Sequence, residues 1–143
     1  YLVDFGGPSM NLEVGQEFNS KTYIINRKSL VDYANASGDQ NPIHQDEAFA
    51  KSVGLPDVIA HGMLTMGLTG TYLSEIAGSG SVLEFSARFV KPVVVPANKD
   101  VSIEVSGKVS ELIDGKAKID LTVNCGGVKV LGNAKGVIKW LKN

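Results

Sequence analysis

The sequence predicts an α+β domain in which an antiparallel sheet of five or more strands wraps around one long buried central helix. Two observations carry this prediction. Residues 62–77, GMLTMGLTGTYLSEIA, hold a single charged side chain, Glu75, and place small residues at Gly67, Gly70 and Ala77, so the helix is expected to be buried nearly all round. The second half of the chain then changes to period-two alternation, as in Val101, Ile103 and Val105 against Ser102, Glu104 and Ser106.

The remaining elements follow in chain order. The opening YLVDFGGPS is punctuated by Gly6, Gly7 and Pro8 and precedes Met10, so residues 1–9 are expected to be a leader foreign to the natural start or disordered, with one domain over 10–143. Residues 16–25, QEFNSKTYII, are rich in β-branched and aromatic residues and predict a strand despite imperfect alternation. Asn26 is placed to cap a helix RKSLVDYANAS, which Gly38 stops. Pro42 prevents continuation and makes DQNPIHQD a loop; Asp46 can cap a second short helix, DEAFAKSV, ended by Gly54 and Pro56. After the irregular LPDVIA comes the long helix. Four strands follow in SVLEFSARFV, DVSIEVSGKVSELI, KAKIDLTVNC and VKVLGNAKGVIKWL, with Asp114-Gly115 and Gly126-Gly127 as hairpin turns. Each is expected to be apolar on one face and polar on the other.

Composition removes several function classes. With 14 Lys+Arg against 15 Asp+Glu among 143 residues, the chain has no electrostatic footprint for nucleic acid or an anionic membrane. No apolar run approaches the roughly 20 residues that span a bilayer. The single cysteine, Cys125, excludes an internal disulfide framework and suits a reducing compartment, so a cytoplasmic location is expected. Cys125 itself lies in a predicted strand, where a small buried hydrophobe is the expected role. The glycine runs make no dinucleotide or phosphate-cradling fingerprint. His44, Asp46 and His61 lack tight metal-ligand spacing, so no metal is expected.

Two segments could carry chemistry. In Asp39-Gln40-Asn41-Pro42-Ile43-His44, the proline turn can bring a carboxylate and an imidazole to one side, a pair suited to proton transfer near neutral pH. The alternative is that Asp39 merely caps the loop and His44 is a satisfied core or surface histidine. In His61-Gly62-Met63-Leu64, free amides at the start of the buried helix can hold negative charge, and Gly62 admits a close approach; alternatively Gly62 only permits a tight turn and His61 fills the cap. Together the two segments suggest proton-transfer groups beside an oxyanion hole, the layout for chemistry alpha and beta to a carbonyl. Arg88 and Lys91, near a strand end, could meet a phosphate, although solvated surface charge is the usual role.

These residues are familiar as a set. Asp39-Gln40-Asn41-Pro42-Ile43-His44 with Gln45-Asp46, followed by Ala60-His61-Gly62-Met63-Leu64, resembles the hydratase 2 motif of the MaoC-like (R)-specific enoyl-thioester hydratases. More narrowly, SLVDYANASGDQNPIH and IAHGMLTMG look like the catalytic subunit of heterodimeric (3R)-hydroxyacyl-carrier-protein dehydratases.

The resemblance implies a hot-dog fold and a homodimer or heterodimer with a second hot-dog subunit. It implies reversible hydration of trans-2-enoyl thioesters of coenzyme A or acyl carrier protein in fatty-acid metabolism, without a cofactor. Asp39 and His44 would be the catalytic pair and the Gly62 amide the oxyanion donor. Asn41, His61 and Met63 would be substrate-binding, with Asn41 ordering the loop rather than acting directly. Several single-subunit relatives carry a serine where this chain has Gly70; Thr69 or a water would stand in for it. Rival readings on the same scaffold are an acyl-thioester hydrolase and a noncatalytic acyl-chain-binding partner subunit.

Overall fold

The computed structural model describes residues 11–78 and 80–140. The expected leader over residues 1–9 therefore lies outside the described residues. The elements run β1 (Glu17–Ile25), α1 (Arg27–Ser37), a 3-10 turn (Pro42–His44), α2 (Glu47–Ser52), α3 (Gly62–Ala77), β2 (Val82–Phe89), β3 (Val101–Ile113), β4 (Lys116–Cys125) and β5 (Val128–Lys139). The strands form one five-stranded sheet in the order β1-β3-β4-β5-β2, and every pairing is antiparallel.

Local chemistry sets the ends of these elements. The Asn26 side chain accepts the Ser29 amide while the Ser29 hydroxyl accepts the Asn26 amide, a reciprocal capping box for α1. Gly38 closes that helix in the left-handed region at φ 83°. Asp46 accepts the Phe49 amide and caps α2, which ends at Ser52, short of the Val53 reached by the expected segment. The hairpin turns carry positive φ at both central residues, 49° and 74° at Asp114-Gly115 and 57° and 78° at Gly126-Gly127. Such turns match the right-handed twist of the strands they join.

One expectation is explained and two change. The imperfect alternation of β1 is a register irregularity between Phe18 and Lys21 in its pairing with β3. β2 does not alternate cleanly: as an edge strand it leaves Leu83 and Phe89 exposed. Finally, α3 is not buried all round. Thr65, Thr69, Tyr72, Leu73 and Ala77 face the interior, but Met63, Gly67, Thr71, Ser74 and Glu75 form an exposed stripe at helical spacing. The low charge of that stripe hid its exposure from a reading of composition alone.

The core lies between α3 and the sheet, where Leu73, Ile103, Val105, Ile119, Val123 and Ile138 are fully buried. Two strand glycines let the helix come down onto it. A Cβ at Gly136 would lie 2.6 Å from Leu73 Cδ1, and one at Gly107 would meet Ile119 at 3.1 Å and Tyr72 at 3.4 Å. Behind the site, Val95 N–H donates to the Val58 carbonyl and Ala60 N–H to the Val93 carbonyl, so the irregular segment before α3 is pinned to the one after β2. Arg27 reinforces this pin, donating through Nε to the Val95 carbonyl at 2.6 Å and through Nη2 to Asp57 at 2.8 Å.

The fit of Leu73 over Gly136 leaves no room for a methyl group. Gly136→Ala is expected to destabilise the fold by about 1–3 kcal/mol through overpacking, measured as a lower midpoint of chemical denaturation at unchanged slope.

Candidate active site

The proline turn builds the first half of the site. Asp39 Oδ1 accepts the Asn41 amide at 3.1 Å, and Asn41 Oδ1 in turn accepts the Ile43 amide at 3.2 Å. Pro42, which lacks the N–H that a first helical position leaves unpaired, starts the 3-10 turn. The turn carries His44 inward, where its Nδ1 lies 2.7 Å from the Ile59 carbonyl oxygen. A carbonyl can only accept, so Nδ1 holds the proton and Nε2 keeps its lone pair when the ring is neutral.

The second half comes from the start of α3. His61 is 1% exposed and its Nε2 lies 3.0 Å from the Asp39 carbonyl oxygen, so Nε2–H is the donor. The Nδ1 atom of the same ring is buried without a hydrogen-bond partner among the described residues. The His61 ring stacks on His44 with centroids 3.8 Å apart at 23°, and Tyr33 packs against it at 4.8 Å. Among the described residues, no side chain caps α3. Its first amides, Gly62 and Met63, hydrogen-bond to no other described residue, leaving two donors and the positive end of a 16-residue helix.

These groups meet at one cavity of about 430 Å³. Asp39, His44, His61, Gly62 and Met63 line it together, and Ile59, Val93, Val130 and Leu131 supply apolar wall. Asp39, His44 and His61 each place a ligand-type atom within 4.8 Å of the others, although one ring nitrogen of each histidine is already committed to a carbonyl. Asp39, not Asp46, is thus the carboxylate that joins the two histidines; Asp46 caps α2. Phe89 closes over Gly62 so tightly that a Cβ there would lie 2.8 Å from the ring.

Asn41 is not among the lining residues: it is exposed and spends its side-chain oxygen on the turn. Thr69 does not support the carboxylate, because its hydroxyl donates to the Thr65 carbonyl at 2.9 Å within α3. Two lining residues that sequence reasoning did not select are Thr65 and Phe89. Thr65 stands one helical turn below Gly62, so helical spacing from the motif would have found it; Phe89 arrives from a distant strand and carried no local signal. Lys91, considered for a phosphate, also lines the cavity. Cys125 is half-buried, and burial pushes its thiol up, as suits a packing role.

Burial holds the His44 imidazole below its usual value, and neighbouring His61 acts in the same direction. The bond to Ile59 and the Asp39 charge oppose the shift without reversing it. His44 is therefore neutral at pH 7, with an unprotonated Nε2.

Fold and site together define a hot-dog protein with a carboxylate–imidazole pair beside free helix-terminal amides. The family model described as "MaoC like domain" matches residues 10–125, and the chain belongs to that family. It is similar to 3-hydroxyacyl-thioester dehydratase X of Mycobacterium tuberculosis, 46% identical over 66 residues that make up 46% of this chain and 22% of that protein. It is 32% identical to 3-hydroxybutyryl-CoA dehydratase of Methylorubrum extorquens over 80% of this chain and 73% of that one. Among solved structures, a MaoC-like dehydratase superposes with a TM-score of 0.89 at 36% identity, covering 96% of this chain but only 42% of the other. The (R)-hydratase of A. caviae involved in PHA biosynthesis superposes at 0.79 with 27% identity, over 93% of this chain and 100% of that one.

A histidine whose folded pKa lies below its unfolded value binds fewer protons folded than unfolded between the two values. Stability is therefore expected to fall as pH drops below about 6.5, and the loss is complete once the folded-state value is passed. Nuclear magnetic resonance titration of the ring should place the His44 midpoint below that of a free imidazole.

Proposed function

We propose that this chain catalyses the reversible addition of water to trans-2-enoyl thioesters, giving (3R)-3-hydroxyacyl thioesters, in fatty-acid metabolism. The observation that carries the reading is the meeting of Asp39, neutral His44 and the unpaired Gly62 amide at a single apolar-walled cavity. The names of its relatives as dehydratases and hydratases support the same reaction class.

In the hydration direction, a water held between the Asp39 carboxylate and His44 Nε2 gives up a proton to the pair as its oxygen bonds to C3. The electron pair of the C2–C3 double bond moves toward the thioester, and the developing oxygen charge is held by the Gly62 amide. Return of a proton to C2 completes the addition. Dehydration runs the same steps backward, and the overall change needs only water.

The thioester is carried by coenzyme A or acyl carrier protein. Met63 and Phe89, each 60% exposed, stand with Val90 at the cavity rim. Such an apolar rim is suited to cover by a second hot-dog domain, supplied by another copy or by a different chain. Met63 begins the exposed stripe of α3 and Phe89 ends the edge strand β2, so both elements reach this rim.

Asp39→Asn and His44→Ala are expected to lower kcat for crotonyl-CoA hydration by about 10²-fold to 10⁴-fold with the circular dichroism spectrum retained. Near-native turnover by both variants rejects the reading, and release of free thiol instead of hydration points to a hydrolase. Placing charges on the rim as Met63→Glu with Phe89→Glu is expected to dissociate the assembly, read as a fall in sedimentation coefficient.

A further inference from the structure

We propose that His61 is a positioning residue that ties the two halves of the site together, holding the Asp39 backbone and the His44 ring against the start of α3. The inference rests on the hydratase reading given above and adds a role for a side chain that takes no part in the proton steps.

The loop that carries Asp39 is fastened to the fold at its two ends by different means. Its His44 end is held twice, by His44 Nδ1–H to the Ile59 carbonyl and by Ile59 N–H to the Ile43 carbonyl. Its Asp39 end is otherwise held only locally: Asp39 N–H donates to the Ser37 hydroxyl, Gln40 to the Asn35 side chain, and the Asn41 and Ile43 amides to Asp39 and Asn41. Among the described residues, the sole hydrogen bond from residues 38–42 to a distant part of the fold is the one that the Asp39 carbonyl accepts from His61 Nε2–H. Asp39 is itself exposed, so packing does little to hold it.

The position of His61 makes that bond informative. The residue directly precedes Gly62, so a donor fixed to Asp39 also fixes the distance between the carboxylate and the oxyanion amides. Its ring is buried between Tyr33 and His44, and stacking at 3.8 Å sets the plane of the catalytic imidazole. With Nε2 committed to a carbonyl and Nδ1 buried without a partner, the side chain has no nitrogen available to exchange a proton with substrate. Its contribution is to geometry, on which a misplacement of 1 Å can cost on the order of 10²-fold in rate.

The test compares the wild-type protein with His61→Leu, His61→Gln and His61→Asn in crotonyl-CoA hydration. The glutamine amide can reach the Asp39 carbonyl as a donor; the asparagine amide is one methylene short; leucine fills space without donating. The expected result is a kcat lowered on the order of 10²-fold in the leucine variant with KM nearly unchanged. The glutamine variant should recover at least tenfold over leucine and over asparagine. If the leucine variant does not fold, the glutamine-to-asparagine ratio decides alone, and a ratio near one overturns the inference. Wild-type kcat in a folded leucine variant also overturns it, leaving the hydratase reading intact. A wild-type protein without hydratase turnover overturns that reading and this inference with it.

Discussion

α3 has to lie close against the sheet before any residue of the site is in place. That approach depends on a contact too tight for a side chain: Leu73 sits over Gly136 where even a methyl group would collide. Once the helix is seated, its first turn projects from the covered core toward the opening between the 38–46 loop and the strand end at Phe89. The unpaired amides of Gly62 and Met63 then face a cavity instead of bulk water. Preorganised donors in such a setting are worth more than the same donors in water, because they need no reorganisation as charge develops.

Two main-chain carbonyls decide the proton inventory. Ile59 accepts from His44 Nδ1 and Asp39 accepts from His61 Nε2, so the stacked rings are held in opposite tautomers. The consequence is a division of labour between chemically identical side chains. His44 keeps a lone pair on Nε2 and lines the cavity with Asp39, while His61 has its donor turned away into the loop backbone. Burial adds to this by keeping His44 neutral at pH 7, the state in which it can take a proton from water.

The sequence disclosed what local rules govern. The boundaries of α1 could be read because Asn26, Ser29 and Gly38 act within a few residues of one another, and the hairpins because their turns demand positive φ at Asp114-Gly115 and Gly126-Gly127. The pairing of Asp39 with His44 was likewise legible, since Pro42 forces the turn that joins them. The bond from His61 to the Asp39 carbonyl spans 22 residues, and a carbonyl is present at every position, so no residue type marked it. Phe89 over Gly62 was hidden for the same reason: edge-strand packing across the fold has no spacing signature. The exposed stripe of α3 was misjudged because Met63, Gly67 and Thr71 are uncharged, and lack of charge looks the same whether a surface meets the core or another domain.

That last ambiguity bears on how the site is completed. A cavity of about 430 Å³ is at the small end of ligand pockets, and its rim is formed by side chains that a solitary domain would ordinarily cover. Phe89 illustrates the point, since its ring packs where a Gly62 side chain would stand while the residue remains 60% exposed. Met63 at the start of the exposed stripe of α3 and Phe89 at the end of the edge strand β2 meet at the rim of one cavity. Covering that rim would pack the outer face of Phe89 and enclose the cavity lined by Asp39, His44 and Gly62, so burial of this apolar surface and completion of the site are linked.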